Sequence, residues 1–246
     1  VARKPRTTTK PTTGPGHIPG VVLAYIHPGQ VSSYFTESLM VTMLADVNRP
    51  RRRIVNIMQE WSSANVSAAR NTVTARFLDA RTADGRTVGD WLLWIDADMQ
   101  WEPQAFDLLL STADPETRPI VGGLCFGMAN DRLVPTIYQF VKLDGALTTY
   151  RVEDYPRDAV VQCAATGAAF ILIHRTVLER MRAHGFNEAF PWFQETQLGD
   201  KPVGEDITFC LRAGQLGYPI HVDTRAKIGH HKSALLTEDR FLEQGV

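Results

Sequence analysis

An apolar run, Trp91-Leu92-Leu93-Trp94-Ile95, ends in two carboxylates one residue apart, Asp96-Ala97-Asp98. In an extended strand the side chains of residues i and i+2 point the same way, so Asp96 and Asp98 can turn their oxygens toward one hard cation. A diphosphate is the natural companion of such an ion. The bland alternative has Asp96 capping the next helix and Asp98 solvated. A second acidic pair stands in Gly204-Glu205-Asp206, at the start of an expected helix. Acids there are favoured by the macrodipole and can cap free amides. A carboxylate on a helix N-terminus beside a cleft can also accept a proton, which makes Asp206 the candidate general base, with Glu205 at its side.

Ile228-Gly229-His230-His231-Lys232 offers imidazoles late in the chain. Adjacent side chains of an extended segment point apart, so at most one of the two histidines joins a given ion; a hydrogen-bonded structural role is the alternative. With Asp98, an imidazole makes a mixed oxygen and nitrogen site that suits Mn²⁺ as well as Mg²⁺. His230, directly after the glycine, is the first choice. Arg70, in Val66-Ser67-Ala68-Ala69-Arg70-Asn71, stands in the first turns of a helix that begins at the same end of the sheet as Asp96. It is either solvated or placed to neutralise a diphosphate or a sugar-ring acid, helped by the helix dipole.

These residues must be carried by a mostly parallel sheet, because open α/β sheets bind ligands at the carboxyl ends of their strands. The pattern supplies one. Val21–Ile26 reads as the first strand, ending at the turn His27-Pro28-Gly29, and a helix follows from Ser32 or Ser33 to Asp46 with Phe35, Leu39, Met43 and Leu44 on one face. Ile54–Met58 is a second strand. Ser67 reads as the cap of a helix with Ala69, Val73, Phe77 and Ala80 as its buried stripe, and the Asp-x-Asp strand comes third. The order β-α-β-α-β predicts a doubly wound sheet. A helix from Pro103, a strand at Pro119–Leu124, and alternation from Pro135 to Tyr150 around an Asp144-Gly145 hairpin turn shift the second half toward antiparallel ribbons. Two more strands, helices over Thr176–His184 and Glu205–Leu216, and a strand at Ile220–Val222 complete the reading.

The 246 residues suffice for one large domain, expected over residues 21–246. Residues 1–20, rich in Thr, Pro and basic side chains, read as a flexible basic tail. A formal net charge of −1 argues against a nucleic-acid partner. Three widely spaced cysteines fit no metal pattern and suit a reducing cytosol. No apolar stretch approaches the ~20 residues of a membrane span and no signal-peptide pattern is present, so a soluble cytoplasmic protein is expected.

In combination the motifs resemble a glycosyltransferase of the GT-A fold, similar to the inverting family-2-like group and its small bacterial and bacteriophage members. The resemblance is carried, in order, by Ser67 to Asn71, Trp94-Ile95-Asp96-Ala97-Asp98, Thr166-Gly167-Ala168-Ala169-Phe170, Gly204-Glu205-Asp206 and Gly229-His230. It implies a nucleotide-diphosphate sugar donor, with Ile26, His27 and Pro28 near the base, Asp96 and Ala97 near the ribose or sugar, and Gly167 letting the sugar lie against backbone. Asp98 and His230 would hold the metal, and Asp206 would deprotonate the acceptor hydroxyl. A glycan or protein acceptor is implied, with virion proteins and host surface glycans suggested by analogy. Trp192, in Phe190-Pro191-Trp192-Phe193-Gln194, is either an acceptor-stacking platform or a core aromatic. Two rivals stand beside this reading. A sugar-phosphate nucleotidyltransferase would carry a basic loop after the first strand, where His27-Pro28-Gly29-Gln30-Val31 has none. A silent nucleotide-sugar binder would need neither Asp98 nor Asp206.

Overall fold

The computed structural model describes residues 17–62, 64–129, 132–143, 145–199 and 201–232. Its frame is a seven-stranded sheet of β1 (Val21–His27), β2 (Ile54–Trp61), β3 (Trp91–Ile95), β4 (Ile120–Leu124), β5 (Val160–Cys163), β6 (Phe170–His174) and β7 (Ile220–Lys227). The spatial order is β5-β7-β4-β6-β3-β1-β2. β1 runs parallel to β2 and β3, and β4 parallel to β7, whereas β6 is antiparallel to β3 and β4, and β5 to β7.

Strand alternation divides the core into two layers. Leu92 and Trp94 face one side, where α2 (Val66–Asp79), α4 (Arg175–His184) and α5 (Glu205–Gln215) pack through Val73, Phe77, Leu178 and Phe209. Leu93 and Ile95 face the other, against α1 (Ser33–Val47) and α3 (Pro103–Thr112) through Phe35, Phe106 and Leu109. Burial on both faces explains why β3 reads as an unbroken apolar run.

Several local expectations are corrected. Asn65, not Ser67, caps α2, its side chain accepting from Ala68 N at 2.8 Å; Ser67 lies buried in the first turn. Leu44 is exposed rather than inward, and the buried side of α1 is Phe35, Ser38, Thr42 and Asp46. Part of the expected tail is ordered: His17–Ile18 pairs with Thr87–Val88, and Asp90 accepts from Gly20 N at 3.0 Å and meets His17 Nε2. Residues 1–16 and Asp144 of the hairpin turn lie outside the described residues; the ribbon itself, Ile137–Leu143 with Ala146–Arg151, is present. Two ribbons went unforeseen, Phe126–Ala129 with Arg132–Pro135 and Thr196–Leu198 with Lys201–Val203. No helix among the described residues is long and apolar enough to cross a membrane.

Candidate active site

The carboxyl ends of β1 and β3 open into a cleft of about 900 Å³. Asp96-Ala97-Asp98 does not continue the strand, as the spacing suggested, but forms a turn closed by Met99 N donating to Asp96 O at 3.0 Å. Long-range bonds hold that turn: Asp96 N donates to Ala169 O at 2.9 Å, and Ser32 N, at the start of α1, donates to Ala97 O at 2.8 Å. Both carboxylates still line the cleft, together with Ile26, Pro28, Ala97, Arg70 and Glu205.

Arg70 is only 3% exposed. Its Nη2 donates to Asp96 Oδ1 at 2.6 Å and its Nε to Glu205 Oε1 at 3.2 Å, while the guanidinium lies 5.0 Å from the Trp94 ring centroid. Its Nη1 is buried and has no partner. With two carboxylates already on it, Arg70 joins the acidic turn of β3 to the acidic start of α5 rather than standing as a free cation for a diphosphate. The third guanidinium nitrogen retains a donor for a bound oxygen. Burial pushes Asp96 upward, opposed by Arg70 and reinforced by Asp98 and Glu205.

Asp98 belongs to a separate cluster. Gly229–His230 pairs antiparallel with Met99–Gln100, and His231 N donates to Asp98 O at 2.8 Å. This ladder brings His230 Nε2 to 3.1 Å and Lys232 Nζ to 2.8 Å from Asp98 Oδ2. Burial alone would raise Asp98, but the hydrogen bonds from His230 and Lys232 outweigh it and hold the carboxyl at about 2. His230 is shifted upward by the same contact, against its own burial. Its Nδ1 lies 2.8 Å from Phe126 O and donates to that carbonyl, which aims Nε2 at Asp98. His231 packs instead on Tyr34, with ring centroids 4.4 Å apart.

Two side chains, Asp98 and His230, have the chemistry and spacing to share a divalent cation, although the Lys232 ammonium now lies on the same Asp98 oxygen and would have to move aside. Asp98 Oδ2 and His230 Nε2 lie at the ~3 Å spacing expected of neighbouring ligands on an ion bound at ~2.1 Å, and the Phe126 carbonyl supplies the outer hydrogen bond that orients a metal-binding imidazole. Among the described residues no three His, Cys, Asp or Glu side chains converge on one point. Most of the ion's coordination would therefore fall to a ligand and water.

Asp206 lies behind Glu205 on the first turn of α5, its Oδ1 accepting from Ile207 N at 2.7 Å. Burial, then the neighbouring Glu205 charge, raises its carboxyl to about 6. A Cβ on Gly204 would fall 2.9 Å from Asp206 Oδ1, and one on Gly167 would fall 3.7 Å from Oδ2. Gly204 is therefore needed for the present position of the carboxylate, whereas a side-chain carbon at Gly167 would make only ordinary contact with it.

Five expected site residues do not line the cleft: Asp206 and Gly167 stand behind Glu205, His230 reaches only its Asp98 edge, where His231 lines the wall, and His27 and Trp192 lie elsewhere. His27 turns away: its Nε2 lies 2.6 Å from Gln59 Oε1 and its Nδ1 accepts from Gly29 N at 3.0 Å, closing the turn after β1. Trp192 is 2% exposed, with Nε1 donating to Leu178 O at 2.8 Å, so it is a core aromatic and no stacking platform. Sequence reasoning missed Ser62, Ser32 and Lys232 in the cleft wall; Lys232 alone had a signal, its place beside the histidine doublet.

The strand order of the mixed sheet, with helices on both faces, makes a GT-A-like fold. The solved structures agree. The chain is similar to the crystal structure of A197 from STIV, at 13% identity and a TM-score of 0.53, over 89% of this chain and 97% of that one. It is also similar to GalNAc-T7 with UDP, GalNAc and Mn²⁺, at 11% identity and a TM-score of 0.55, over 86% of this chain but 43% of that longer one. No protein-family profile and no curated protein matches the chain.

Proposed function

We propose that this chain is a divalent-metal-dependent glycosyltransferase that moves a sugar from a nucleotide-diphosphate donor to a glycan or protein hydroxyl, with inversion. The observation that carries the reading is the meeting of two clusters at one cleft: Asp98, held by His230 and Lys232, and Asp96, held with Glu205 by Arg70. The GalNAc-T7 likeness supports the same reading by fold.

Ile26 and Pro28 would wall the base, and Asp96, Ala97 and the free Nη1 of Arg70 would orient ribose and sugar. Asp98 and His230 would hold Mn²⁺ or Mg²⁺, which when bound neutralises charge building on the departing nucleoside diphosphate. Lys232 adds a cation to the same side. Asp206, ionised above about 6, would take the proton of the acceptor hydroxyl. That oxygen then bonds to the anomeric carbon, and the bond to the diphosphate breaks with its electron pair leaving on the diphosphate. Glu205 lines the cleft next to Asp206, so an acceptor would reach the Asp206 carboxylate past that side chain. The turn after β1 contributes Pro28, Gln30 and Val31 to the cleft and no basic side chain, against a nucleotidyltransferase. Three buried free cysteines accord with a cytosolic setting.

Calorimetric titration with UDP, GDP, CDP, ADP and dTDP, with Mn²⁺ and with excess chelator, tests the proposal. One diphosphate should bind only with the metal, and Asp98→Ala should lose that binding. Binding of none of them would favour a silent fold relative.

A further inference from the structure

Helix α1 turns three polar side chains inward beside Phe35, Leu39 and Met43, and leaves several apolar ones outside. On its buried side Ser38 Oγ accepts from Trp101 N at 3.0 Å, Thr42 Oγ1 accepts from Trp101 Nε1 at 2.9 Å, and Asp46 accepts from the backbone N–H groups of Arg53 and Ile54. Its outer side carries Met40 at 59% exposure, Leu44 at 61%, Val41 and Val47. At ~100° per residue Met40, Leu44 and Val47 fall within an arc of about 60°. Single exposed apolar side chains are ordinary, but six of the fifteen exposed large hydrophobic residues described lie on this helix or just before it: Val31, Tyr34, Met40, Val41, Leu44 and Val47.

The turn after the helix is cationic. Arg49 pairs with Asp107, and Arg53 with Asp46 and Asp107. Arg51 and Arg52 are exposed, and neither makes an ion pair among the described residues. The exposed acid of α1, Glu37, stands toward the other end.

Area separates the occupants that could cover such a face. A 15-residue helix presents a stripe ~22 Å long and about one side chain wide, roughly 200 Å², well short of the ~800 Å² per partner of a stable protein interface. A lipid surface asks for less: shallow insertion of an apolar helix face, with basic residues against anionic headgroups. We propose that the outer face of α1, with Arg51 and Arg52, docks this protein on an anionic phospholipid bilayer. Val31, Ser32 and Ser33, at the start of the same helix, line the cleft, so docking sets the cleft mouth beside the headgroups. The proposal uses no part of the transfer reaction and stands or falls separately from it.

Co-sedimentation of the full chain with vesicles of phosphatidylcholine alone, and of phosphatidylcholine with phosphatidylserine, is the test. The protein should sediment with the anionic vesicles only. Met40→Glu/Leu44→Glu and Arg51→Glu/Arg52→Glu should each weaken that partition about tenfold or more, with melting temperatures near the parent's. Failure of the parent to sediment with anionic vesicles would overturn the proposal, as would unchanged partition of a folded Met40→Gln/Leu44→Gln variant. A concentration-dependent dimer that the Met40 and Leu44 changes dissolve would assign the face to a second copy instead.

Discussion

Asp206 pays at neutral pH for the position it holds. Its carboxyl is raised to about 6, above the ordinary value near 3.8, so the folded chain binds a proton more readily than the unfolded chain between those values. Stability from this group is fully present below the unfolded value and falls as pH rises toward 6, at a cost of at most about 3 kcal/mol at pH 7. Asp206→Asn, which keeps the acceptor for Ile207 N, should therefore raise the melting temperature at pH 7 while removing transfer and sparing diphosphate binding. Loss of diphosphate binding in that variant would refute the role of base. In the parent, transfer should climb with pH through about 6 and then level, provided donor and metal saturate. At Gly204, alanine would force the Asp206 carboxylate from its present rotamer; Gly204→Ala should lower the transfer rate more than it weakens donor binding, which steady-state kinetics would separate. These carboxylates and glycines were legible as residue types, whereas the burial that retunes Asp206 was not.

At the scale of elements, strands and helices followed apolar periodicity closely, and the exceptions share one cause. α1 was expected to bury Leu44, because apolar spacing is the signal a sequence offers. The structure buries Ser38, Thr42 and Asp46 because Trp101 and the chain at Arg53 and Ile54 bring donors that only polar side chains can meet. α2 likewise begins where Asn65 finds Ala68 N, and Asn65→Ala should cost about 1 kcal/mol in denaturant unfolding. The Asp-x-Asp segment leaves the strand because Ala169 and Ser32, distant in sequence, claim its backbone groups. A two-residue ladder between Gly229–His230 and Met99–Gln100 then sets His230, rather than His231, against the Asp98 carboxylate, a contact that spacing could not specify.

Across the whole molecule, Arg175 ties together parts that no local pattern relates. Its buried guanidinium donates to the carbonyls of Phe77, Leu78, Val88 and Gly89, joining the end of α2 and the approach to β3 at the start of α4. Arg175→Met should destabilise the fold by about 2–4 kcal/mol in chemical denaturation, leaving orphaned carbonyls, while diphosphate affinity at the distant cleft changes little. By itself the sequence determined which segments form strands and helices, the mixed α/β class, and the acidic, imidazole and guanidinium groups available for chemistry, because side-chain periodicity and residue type are local properties. Only the tertiary structure decided that Arg70 is held between Asp96 and Glu205, that Lys232 joins His230 on Asp98, and that His27 and Trp192 turn away from the cleft. Those outcomes depend on which groups from distant strands arrive within hydrogen-bonding reach and which are left in water.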